Sequence, residues 1–113
     1  MTLLLVLAGT AQVWAQSTGQ IGGTVKDTTG AVIPGAEIKA TQTATGAVRI
    51  VTSSADGEFV LPNLPIGPYL LETTKQGFSK YVQSGLQLNV DSNPTIDITL
   101  KVGAASDQVT ALL

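Results

Sequence analysis

After Gln16 the apolar residues of this chain recur at every second position, and nowhere do they keep a helical spacing for more than one turn. The clearest run is Ile96, Ile98, Leu100 and Val102, alternating with Asp97, Thr99 and Lys101. Ala36, Ile38 and Ala40 alternate as cleanly with Glu37, Lys39 and Thr41. Successive side chains of a strand point to opposite faces, so each run predicts one buried and one wet face. Ile21, Gly23 and Val25 make a looser, glycine-rich first strand, and Leu86, Leu88 and Val90 a later one. From Ala47 to Ser53 the register is open, because Val48 and Ile50 compete with Val51 for the inside. Between the runs stand turn clusters: Asp27 to Gly30, Pro34-Gly35, Thr45-Gly46, Ser54 to Gly57, Gly77-Phe78 and Asp91 to Pro94. Seven short strands at a spacing of roughly 8–12 residues predict an all-β sandwich.

The middle of this pattern is Asp56 to Phe78. Asp56-Gly57 is a turn dipeptide, since glycine takes positive φ without a Cβ clash. Glu58 to Leu61 reads as a short strand with Phe59 and Leu61 on one face. Pro62, Pro65 and Pro68 cannot donate to a ladder, so a stiff extended connection is expected here, with Leu64 and Ile66 turned inward. Tyr69, Leu71 and Thr73 then share the inner face of a further strand, opposite Leu70, Glu72 and Thr74.

Composition limits the chemistry. The 113 residues allow one domain, and a net charge of −2 leaves no basic patch for a phosphate backbone, so nucleic acid is not an expected partner. Histidine and cysteine are absent. Without them there is no base to activate the many serines and threonines, no usual zinc ligand and no disulfide. No enzyme activity, cofactor or metal is expected. Asp56 with Glu58, or Asp27, would offer calcium two or three oxygens where six to eight are needed, so these are read as turn residues.

Residues 1–15 read as a signal peptide. Leu3 to Ala8 is an apolar run too short to span a bilayer, and Val13-Trp14-Ala15 suits cleavage after Ala15. No Lys or Arg precedes the run, and a buried strand or helix is the other reading. Residues 16–102 then form the sandwich domain and residues 103–113 a linker or tail. Gln16 to Gln20 and Gly103 to Leu113 are expected to be flexible, with an eighth strand in the tail as the rival outcome.

Three stretches carry a family resemblance. They are Gly23-Thr24-Val25 with Asp27, Gly30 and Pro34-Gly35-Ala36; Asp56-Gly57, Phe59, Leu64-Pro65, Gly67 and Tyr69; and Gly77-Phe78. Over about residues 20 to 102 the chain resembles the carboxypeptidase regulatory-like domain, which implies a seven-stranded prealbumin-like, Ig-like sandwich of the carbohydrate-binding-like fold class. With its leader and tail it looks most like the amino-terminal end of a TonB-dependent outer-membrane receptor. That setting implies export, a place in the periplasm or on the periplasmic face of the outer membrane, and plug and barrel domains as partners.

The shared residues have structural reasons to be present. Gly30, Gly35, Gly57, Gly67 and Gly77 fall at turns with Asp56, Pro65 sets a loop, and Phe59 and Tyr69 fill the core. Carbohydrate is the alternative ligand, by analogy of fold, and would need exposed aromatic platforms. Trp14 would leave with the leader, so Tyr81 and Phe78 are the remaining candidates. A Lys–Asp isopeptide cross-link from Lys26, Asp97 and Glu72 has the right chain order, but alternation sends all three to solvent.

Overall fold

The computed structural model describes residues 18–103 and 108–112. The expected leader, its cleavage point after Ala15, Trp14 and the linker residues 104–107 lie outside the described part. Eight strands form: β1 Thr18–Asp27, β2 Glu37–Gln42, β3 Val48–Thr52, β4 Glu58–Pro65, β5 Gly67–Thr74, β6 Lys80–Leu88, β7 Thr95–Leu100 and β8 Gln108–Leu112. They build two sheets, β4-β1-β7 and β3-β2-β5-β6-β8. Most neighbours are antiparallel, whereas β7 lies parallel to β1 and β8 parallel to β6.

The alternation in the sequence is the origin of the core. Ile21 and Val25 of β1, Phe59, Leu61 and Leu64 of β4, and Ile96, Ile98 and Leu100 of β7 form one apolar layer. Ile38 and Ala40 of β2, Tyr69 and Leu71 of β5, and Leu86 and Leu88 of β6 form the other. In β3, Val51 packs against this core, while Val48 and Ile50 stay exposed, which resolves the open register.

Four expectations are corrected. The strand count is eight, not seven, because part of the expected tail forms β8 and pairs with β6 from Lys80↔Gln108 to Ser84↔Leu112. The alternating Gln108-Val109-Thr110 supplies a half-buried Val109 between two exposed residues, and the edge of β6 supplies the hydrogen-bond partners. Thr18 to Gln20 are held rather than loose: the Gln20 amide donates to the Ser92 carbonyl at 3.0 Å, and the Asp91 amide to the Thr18 carbonyl at 3.2 Å.

Third, the prolines do not interrupt the strands. Gly19 pairs with Leu64 and Ile21 with Leu61, so β4 carries an extra residue at Pro62-Asn63, where Asn63 has φ 55°. An edge strand with a bulge is where proline is tolerated, since its missing N–H faces no partner. Fourth, Leu64 is buried but Ile66 is not; it is 39% exposed at the corner between β4 and β5.

A second bulge explains why the sequence pattern blurs after Phe78. Leu71 pairs with Gln83 and Tyr69 with Leu86, so Ser84 and Gly85 together oppose Leu70. Tyr81 and Gln83 therefore share the inner face with Leu86 and Leu88 despite the odd spacing.

Candidate functional site

The Asp56–Phe78 unit is held by three buried polar anchors. Its first turn closes when the Gly57 amide donates to the Ser54 carbonyl, and the Gly57 carbonyl accepts from the Val25 amide, both at 2.8 Å. A Cβ on Gly57 would stand 2.7 Å from the Val25 carbonyl oxygen, so the turn is pressed against β1. At the far corner the Tyr69 hydroxyl donates to the Pro65 carbonyl at 2.6 Å. The Gln42 side-chain amide donates to the Ile66 carbonyl at 2.7 Å, and a Cβ on Gly67 (φ 138°) would come within 2.6 Å of that same nitrogen. The Leu64-Pro65-x-Gly67-x-Tyr69 spacing is thus a clamp: glycine leaves room for glutamine, and tyrosine ties back the proline.

Phe59 and Tyr69 are each 2% exposed. Burial pushes the Tyr69 phenol up, against the opposing pull of the Arg49 guanidinium. Two anchors were missed by sequence reasoning. Gln42 falls just past the alternating run Ala36 to Thr41, which gives it no place, and Ser53 lies in the stretch of open register. Yet the Ser53 hydroxyl accepts from the Ala36 amide at 2.8 Å and donates to the Ile33 carbonyl at 2.7 Å, stitching the Pro34-Gly35 break to the end of β3.

The structure brings two of the predicted residues together in a surface cleft of about 350 Å³, where Gly35 and Phe78 line one space with Glu37, Lys75 and Lys80. Phe78 is half-buried and packs against the core. Gly77 and Gly30 sit at positive φ with open space around them. Tyr81 is also half-buried, and its hydroxyl donates to the Gln83 side-chain oxygen at 2.8 Å while burial pushes its pKa up. Both aromatics are thus half-buried, whereas a sugar platform is an exposed ring.

The charged candidates are dispersed. Lys26 and Asp97 are exposed on neighbouring strands, with Lys26 opposite Thr99 and Asp97 opposite Thr24. Glu72 lies in the other sheet, where it pairs with Lys80. Asp27 binds its own turn: its carboxylate accepts from the Thr29 hydroxyl at 2.5 Å, the Thr29 amide at 2.8 Å and the Ala31 amide at 3.1 Å. The Thr29 hydroxyl bond, with help from the backbone amides, holds its pKa below the ordinary value. Among the described residues no group of three or more acidic, histidine or cysteine side chains could hold a metal ion.

In fold, the chain is similar to several solved structures at low identity. The Bacillus anthracis TIE protein is 20% identical with a TM-score of 0.62, over 76% of this chain and 17% of that one. Hydroxyquinol 1,2-dioxygenase from Pseudomonas putida DLL-E4 is 11% identical with a TM-score of 0.63, over 80% and 58%. A streptococcal ancillary pilin is 16% identical with a TM-score of 0.59, over 78% and 33%. The chain therefore spans less than two thirds of each of these proteins, and the likeness is one of fold. No curated protein matches it in sequence. The carboxypeptidase regulatory-like family is noncatalytic. Its match runs over residues 20–101, from the first strand of the sandwich through β7 and across the whole clamp, and the chain belongs to the carboxypeptidase regulatory-like domain family.

Proposed function

We propose that this chain is a noncatalytic accessory domain of an exported envelope protein, standing at the amino-terminal end of a TonB-dependent outer-membrane receptor. The observation that carries the reading is the order of segments: an apolar run from Leu3 to Ala8 with a cleavage-type Val13-Trp14-Ala15 after it, one sandwich, then a further strand-forming run. The central unit is a clamp that shapes a corner, which suits a module that spaces or docks. The TIE protein and the pilin, which share the fold, lend no activity to this chain.

The encoding locus tests the receptor setting. A reading frame running on for hundreds of codons with alternating ten-residue strands, as barrel patterning requires, is the expected result. A stop codon directly after Leu113 would overturn it. Export is tested separately by the amino terminus of the protein recovered from a Gram-negative periplasm, which should begin at Gln16. Saturable binding on a glycan array, lost in Tyr81→Ala, would replace this reading with a sugar-binding module.

A further inference from the structure

We propose that the free edge of β3 is a docking site for an extended segment of a partner protein, added as a further antiparallel strand and carrying a carboxylate opposite Arg49. The bonding pattern shows which groups are free. The Gln42 amide donates to Ala47 and the Ser53 amide to Ala36, both at 2.8 Å, at the two ends of a regular β2–β3 register. Alternation between these ends turns the backbone groups of Arg49 and Val51 toward β2. The N–H and C=O groups of Val48, Ile50 and Thr52 consequently point away from the sheet, and among the described residues no strand lies beyond β3.

The other edges are guarded. β4 sets Glu58 and Pro62 along its free side and ends in Pro65, β7 carries Asp97 between Pro94 and Lys101, and β8 presents Gln108 and Thr110. β3 carries one charge, Arg49, and neither a proline nor a bulge. Val48 is 44% and Ile50 57% exposed, both β-branched, with Thr52 beside them on the same outer face.

Arg49 selects the occupant. It is exposed, it is the single charge on β3, and the ion pair among the described residues joins other groups, Lys80 and Glu72. Alternation puts it on the same face of β3 as Val51, which packs against the core, yet it is exposed, at the lip of the sandwich. A second copy of β3 would bring a second Arg49 to this lip. A carboxylate there would instead be paired. In an antiparallel strand, apolar residues opposite Val48 and Ile50 would flank the acidic residue opposite Arg49, which gives the recognition pattern apolar–acidic–apolar.

The test uses the 113-residue chain labelled for NMR and the acetylated, amidated probe peptide Ser-Thr-Val-Ile-Glu-Val-Thr, with the same peptide carrying Lys for Glu as control. A single added strand of this length is a small interface, so binding should be weak, on the order of millimolar. The amides of Val48, Ile50 and Thr52 should shift and become protected. The Glu peptide should bind about two- to fivefold tighter than the Lys peptide, the range of an exposed ion pair. Arg49→Glu should reverse that preference, and Ile50→Pro should abolish binding while leaving the dispersion of the spectrum intact, because the lost N–H makes no bond within the chain. Shifts centred elsewhere, no shift at several times the expected dissociation constant, or equal affinity for both peptides would overturn the proposal. Shifts at β3 that grow with protein concentration in the absence of peptide would also overturn it, assigning the edge to a second copy.

Discussion

Two buried side chains show how the same burial can have opposite consequences. Phe59 is an apolar ring in an apolar layer, so Phe59→Ala should destabilise by about 3–5 kcal/mol through lost contact and an unfilled cavity. Glu58→Ala, one residue away on the wet face, should change little, and urea melts of the two variants should differ accordingly. Thr73 shares the inner face of β5 and is fully buried, but its hydroxyl has no hydrogen-bond partner among the described residues. Thr73→Val keeps the shape and removes the orphaned group, so it should stabilise by about 1 kcal/mol, again read from urea melts. Asp27 is exposed, and its effect appears in the pH dependence. Its folded pKa is depressed, so its contribution is present above the ordinary value of 3.8 and is lost as pH falls through the folded value. The Asp27→Asn variant, in which this titration is absent, should accordingly be less stable than the wild type near neutral pH, and urea melts should show the difference shrinking as pH falls through the folded value. The inward set from Ile21 to Leu100 was legible because alternation alone decides it. Gln42 and Ser53 were not, because a buried polar residue declares itself only through partners that are distant in sequence.

At the scale of the strand, what could be read was periodicity, and what could not was anything that interrupts it. Both bulges, at Pro62-Asn63 and at Ser84-Gly85, add one residue to one strand and so shift parity without any change of composition. The prolines read as a connection because the bulge that lets an edge strand tolerate them leaves no mark in the sequence. Ile66, in phase with buried Leu64, gives no sign of the corner that exposes it. β8 was obscure for a different reason. Five residues with small or polar neighbours carry too little alternation to outweigh the entropy of ordering them, and what holds them is the ladder offered by β6. Amide exchange separates these accounts. The amides of Gln108–Leu112 that bond to β6 should be protected from exchange, and deleting residues 104–113 should speed exchange along Lys80–Ser84. Uniformly fast exchange across Gln108–Leu112 would argue for a tether instead.

For the molecule as a whole, the direction of β8 has a mechanical meaning. A strand that returns antiparallel through a hairpin can be opened like a zipper, one rung at a time. β8 runs parallel to β6, so a pull along the chain beyond Leu112 draws the two strands past each other. Every rung from Lys80↔Gln108 to Ser84↔Leu112 then bears tension together, in shear. Single-molecule pulling from the carboxyl end should show β8 leaving in one abrupt rupture rather than a gradual low-force peel. Built this way, the sandwich can bear tension passed along the chain.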